Sequence, residues 1–245
     1  MFSSKYGHNN YLKLENFHDT ASPDYTILKR IANHHKLDIN TDLPEIKRLS
    51  AEENIVNVTR LIGDIHQEIA RQLNKHNEMV SHYMTGHGYI PLWVLVNVLT
   101  FGKVTMFFLN LKEREKVDIA KQFRISYREL HKYMTMLGFA RNKCAHDERF
   151  FDIRFSQRIH TKSIPKFSVL RLPSDKSGSF TRGTCDAYAI AIIFKQLLSG
   201  QDFSEFYSSM ESVIRKLTKK LKTVSVNEVL DIMGYTPNWR NITSL

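Results

Sequence analysis

The residues best suited to chemistry lie together at 141–146, where Arg141 and His146 enclose Asn142 in the run RNKCAH. An imidazole, with an ordinary pKa of about 6.5, accepts or delivers a proton near neutrality. A guanidinium grips phosphate oxygens and offsets the charge that builds on them. The amide of Asn142 can orient either partner. Together these groups suit cleavage of RNA without a metal, in which the 2′-hydroxyl attacks the adjacent phosphate and leaves a 2′,3′-cyclic phosphate. The spacing alone is unspecific, because a surface histidine near an arginine is more often simply solvated.

The element that must position these groups is a helix. Ser126 followed by Glu129 has the form of a capping box, and apolar spacing carries the helix to about Asp147. Leu130, Tyr133, Leu137, Ala140 and Cys144 make its core-facing stripe. At about 100° per residue, Asn142, His146 and Arg149 fall within about 60° of one another on the opposite side, with Arg141 at the stripe's edge. Arg141 and His146 are then about 7.5 Å apart in rise and about 140° in rotation, so one copy makes a poor pocket. Two copies across a twofold axis would bring both pairs together, which makes a homodimer a requirement of the hypothesis.

Elsewhere helix signals dominate. Ser50 with Glu53 predicts a capping box opening a helix to about Tyr83, and Pro91 suits the first turn of the next. The apolar stretch 90–111, interrupted by Asn97, Gly102, Lys103 and Asn110, reads as buried helix rather than as a membrane span. Within it Pro91, Trp93 and Gly102 read as architecture. Helices are also predicted over 184–199, over 202–222 and, opened by a capping box of Ser225 with Glu228, to Gly234. No repeat or linker divides the chain, so the expectation is one all-α (or nearly all-α) domain over 1–245, with 1–48 as an N-terminal helical extension.

The exception is 149–182, where Pro165, Pro173 and Gly178 break the pattern and KFSVLRL reads as a strand or half of a hairpin. Its bases are Arg149, Arg154, Arg158, Lys162, Lys166, Arg171, Lys176 and Arg182, against Asp152 and Asp175 alone. Phe150, Phe151, Phe155, Phe167 and Phe180 are interleaved with them. Cations and aromatic faces in alternation suit single-stranded RNA, and Arg149, Arg154, Arg158, Lys162 and Lys166 are its candidate contacts. A solvated connector whose phenylalanines anchor to the core reads equally well.

Composition sets the frame. The chain has 245 residues with 35 Lys and Arg against 25 Asp and Glu, a net charge of +10 that favours an anionic partner. Two cysteines and an N-terminus without an apolar signal core point to a reducing cytoplasm. No phosphate-binding glycine loop, nucleophile elbow or metal-ligand spacing is present, so no cofactor or metal is expected.

Three blocks carry a resemblance: GHGYIPLWVLVNVLTFGKVTMFF (86–108), LGFARNKCAHDERFFD (137–152) and MGYTPNW (233–239). In order and spacing they resemble the Abi-like, abortive-infection family of bacteria, within the HEPN superfamily, from about residue 50 onward. The resemblance implies a helical homodimer that acts on RNA in phage defence or as a toxin, in some relatives with a small non-coding RNA. It matches Arg141, Asn142 and His146 to the family's motif and Arg149 to a basic residue just after it. The N-terminus departs from the pattern, with only NNYLKLENF (9–17) resembling the family's opening segment.

Two other functions fit the same residues. One is a non-catalytic protein that grips a small non-coding or antitoxin RNA through the motif. The other is a helical scaffold whose basicity only keeps it in solution.

Overall fold

A computed structural model describes residues 7, 10–17 and 25–245. Among them are ten α-helices, a few 3₁₀ turns and two isolated β-bridges, so the fold is all-α. No helix among the described residues is long and apolar enough to cross a membrane. The chain forms two compact units, Met1–Ile119 and Ala120–Leu245.

The first unit holds α1 (Tyr25–His35), α2 (Leu43–Asn74), α3 (Glu78–His87), α4 (Leu92–Val98) and α5 (Phe101–Asn110), with α6 (Glu113–Lys121) at its end. Pro44 occupies the first turn of α2, which therefore begins ahead of Ser50. Ser50 lies buried inside that helix, so the capping box expected with Glu53 does not form. Nor does one helix reach Tyr83. His76 takes a left-handed conformation (φ 55°), and the Asn77 side chain accepts the Val80 N–H at 3.2 Å to start α3. The apolar run 90–111 is split in the same way, because Thr100 caps α5 by accepting from Lys103 N–H. It is only partly buried, since Trp93 is 54% exposed and Met106, on α5, is exposed too. Leu28, Ile31, Ala32 and Ile46 form a small core between α1 and α2. Of the expected extension over 1–48, 25–35 is α1, while 1–6, 8–9 and 18–24 lie outside the described residues. Tyr11, within the segment 9–17, is buried and donates its hydroxyl to the Ile90 carbonyl at 2.5 Å.

The second unit is built around α8 (Ala187–Leu197), whose residues 187–193 are all buried. Packed with it are α7 (Tyr127–Ala145), α9 (Gly200–Lys220), α10 (Val226–Ile232) and a closing 3₁₀ turn, Trp239–Ser244. Asp186 caps α8: its carboxylate accepts the N–H groups of Ala189 at 3.2 Å and Gly183 at 2.7 Å. Burial pushes the Asp186 carboxyl up from the usual range, against the pull of these N–H donors. Gly234 (φ +87°) is required beside it, because a Cβ there would lie 2.1 Å from the Asp186 carboxyl group. Tyr188 ties the end of the chain to α8 by donating to the Trp239 carbonyl at 2.9 Å.

The expected strand KFSVLRL is instead a 3₁₀ turn over Phe167–Leu170, flanked by left-handed Lys166 and Arg171. Among the described residues no strand offers it a ladder, and both flanking conformations break extension. What remains of the hairpin is a single bridge between Ser174 and Phe180.

Candidate functional site

The motif sits at the end of α7. Its capping box forms as the sequence predicts, with Ser126 and Glu129 each satisfying the other's backbone. Glu129 is buried, and its carboxylate also receives the Ser163 hydroxyl and lies 3.6 Å from His160 Nδ1. This cluster fastens the start of α7 to the long loop, and it is not legible in the sequence because Glu129 stands more than 30 positions from His160 and Ser163. Tyr133, one turn on, is fully buried with no partner for its hydroxyl among the described residues, and burial raises its phenol above the ordinary value.

The buried stripe is Leu130, Tyr133, Met136 and Ala140. Cys144, expected to continue it, is exposed, because the helix runs past the core after Ala140. Arg141, Asn142 and His146 are all exposed, and Arg141 donates to the Asn142 side-chain oxygen at 3.3 Å. The helix closes at Ala145, with His146 as its cap and Asp147 left-handed (φ 53°). Glu148 N–H returns to the Lys143 carbonyl at 3.0 Å, and the Lys143 ammonium pairs with the Glu148 carboxylate. Arg149 is therefore off the helix, and its expected place in a helical triplet with Asn142 and His146 is not found. It pairs with Asp152 at 3.2 Å and lies 6.0 Å from the Phe151 ring centre.

The remaining candidate contacts divide. Arg154 donates to the carbonyls of Ile153 and Ile232, at 2.9 and 3.0 Å, and so pins the loop to the end of α10. Arg158 holds the Phe180 carbonyl at 2.8 Å and the Thr184 hydroxyl at 3.0 Å. Lys162, in the 3₁₀ turn Thr161–Ser163, and Lys166, just before the turn at Phe167–Leu170, are exposed. The loop phenylalanines mostly serve as anchors: Phe155 and Phe167 are buried and Phe150 and Phe180 half-buried, leaving Phe151 as the one exposed ring of the five. An arginine, an amide and an imidazole on one exposed helix end can grip a phosphate and move a proton, but a single copy presents them along the helix rather than around a pocket.

Residues 2–152 match the family described as Abi-like protein, well over half of the 245. The match takes in the N-terminal segment expected to depart from the pattern and ends at Asp152, so MGYTPNW lies outside it. The motif and Arg149 fall inside; Arg154, Arg158, Lys162 and Lys166 fall outside. No curated protein and no solved structure matches the chain.

Proposed function

The chain belongs to the Abi-like protein family, and from that premise we propose a metal-independent endoribonuclease of HEPN type, acting as a cytoplasmic homodimer in phage defence. The observation that carries the reading is the exposed set Arg141, Asn142 and His146 at the end of α7, in a unit with 21 Lys and Arg against 11 Asp and Glu. One His146 takes the proton of a ribose 2′-hydroxyl as that oxygen attacks phosphorus. The bond from phosphorus to the 5′-oxygen breaks, and an imidazolium, that of the second copy in the composite site, protonates the leaving oxygen. Arg141 bears on the non-bridging oxygens as their charge rises, and Asn142 holds Arg141 in line. Isologous pairing of the α7 ends supplies the second arginine and histidine.

The test is incubation of the purified protein with labelled single-stranded RNA in EDTA. Cleavage to 2′,3′-cyclic ends is expected, slowed about 10²- to 10⁴-fold in His146→Ala. Arg141→Ala should slow cleavage while leaving the dimer intact by light scattering. A dimer lost through that one change would make the arginine structural.

One observation favours a second reading, a binder of a small non-coding or antitoxin RNA without cleavage. Among the described residues no side chain hydrogen-bonds the His146 imidazole to fix its tautomer. Retained binding with no cleavage in either the wild type or His146→Ala would select that reading. Absence of any co-purifying nucleic acid, with no salt-dependent binding, would leave the scaffold.

A further inference from the structure

The loop phenylalanines are spent on the core, yet one aromatic ring on the motif helix is not. Phe139 is 46% exposed on α7, although its neighbour Ala140 and, one turn earlier, Met136 pack inward. Positions 139, 142, 143 and 146 are spaced i, i+3, i+4 and i+7, so Phe139 shares a helix face with Asn142, Lys143 and His146. Its ring is steadied by an edge contact with buried Phe155, centre to centre 5.8 Å at 72° between planes. The Lys143 ammonium lies 5.7 Å from the ring centre. A single exposed apolar ring is ordinary on a protein surface, and what sets Phe139 apart is its place, held by Phe155 on the helix face that carries Asn142 and His146.

We propose that Phe139 is the base-stacking platform of the motif: it takes the face of one unpaired RNA base, and so sets which phosphate reaches Arg141 and His146. The occupant is single-stranded RNA, and charge decides in its favour. The unit bearing Phe139 holds the whole positive excess of the chain, and Arg141 and Lys143 lie within four positions of the ring. An aromatic face accepts any base, whereas the cations hold the strand, which together give binding with little sequence preference. The inference rests on the RNA reading above and names the contact that reading lacks.

Phe139→Leu keeps an apolar side chain against Phe155 but loses the flat face. Phe139→Trp keeps the face. Both are made in the full chain on the His146→Ala background, so that RNA stays uncut. Binding of a fluorescein-labelled 20-nucleotide single-stranded RNA is read by anisotropy, and stacking by the fluorescence change of a 2-aminopurine within the same sequence. Thermal melting and light scattering accompany each variant. Expected for Phe139→Leu is binding roughly tenfold weaker with loss of the 2-aminopurine change, at unaltered mass, while Phe139→Trp stays within about twofold of the parent. Parent and Phe139→Leu binding alike would overturn the stacking role while leaving the RNA reading standing. A fall in mass of Phe139→Leu would instead make the ring a contact between two copies and overturn it. A parent that binds no RNA at all would overturn the RNA reading, and the platform with it.

Discussion

The two units differ most in charge. Residues 1–119 carry 14 Lys and Arg against 14 Asp and Glu, whereas 120–245 carry 21 against 11, so the entire excess of ten belongs to the second unit. Eight of the 11 histidines go the other way, into the neutral unit. The family match covers nearly all of the neutral unit and then only the motif helix and the residues just after it. A net charge averaged over the chain thus concealed a neutral partner and a strongly basic one. Only the second unit carries the charge that attracts an anionic partner.

The same contrast governs what the units tolerate. The largest effect expected is at Gly234, where Ala would push a methyl group into the Asp186 carboxyl at a left-handed position. Gly234→Ala should lose about 3 kcal/mol or more of stability in urea denaturation, seen as a shift of the transition of the second unit. Gly63, inside α2 of the neutral unit, has nothing within 4 Å of a built Cβ, and Gly63→Ala should gain about 0.5–1 kcal/mol. Equal costs at the two glycines would break the comparison.

Next in size, Glu129→Gln removes the charge that receives the Ser126 backbone and the Ser163 hydroxyl, and should cost about 1–2 kcal/mol by the same measurement. Charge itself is sharpened by paired substitutions. Lys162→Ala with Lys166→Ala should flatten the salt dependence of RNA binding by roughly 1.4 in the log–log slope, the value for two phosphate contacts on a single strand. Lys29→Ala with Lys36→Ala, both exposed in the neutral unit, should leave that slope unchanged. Equal slopes for the two pairs would spread the RNA contact over both units.

The smallest effect is one of pH. Because the Asp186 carboxyl is raised above its ordinary value near 3.8, its contribution to stability is full below that value and is lost as pH climbs through the folded one. Wild type should therefore gain on Asp186→Asn as the pH is lowered from 7 toward 4. A difference in unfolding free energy that stays flat over that range would remove the burial effect.

What was legible in the sequence had local causes. The Ser126 and Glu129 box reads directly because its two partners are three positions apart, whereas Ser225 caps α10 through the Asn227 N–H in place of the expected box with Glu228, and Pro91 stands just before the first turn of α4. The break at Asn77 is not legible in the sequence, because an asparagine cap looks like any polar residue until its neighbour His76 turns left-handed. The phase of α7 was right through Ala140 and failed at Cys144, since periodicity marks a face without saying whether anything lies opposite it. Arg149 was misplaced because the helix ends through a left-handed aspartate, with neither glycine nor proline to mark it. Composition likewise cannot separate an anchored phenylalanine such as Phe167 from an open one such as Phe139.

The closing of the second unit on α8 also has a consequence in time. Tyr188 needs the carbonyls of Met233 and Trp239, and Asp186 needs Gly234 against it. A ribosome making this chain synthesises α7, with Arg141 and His146, about 90 residues before those partners. The growing chain therefore carries the motif helix before the core it packs on, and the second unit closes only once its last segment has been made.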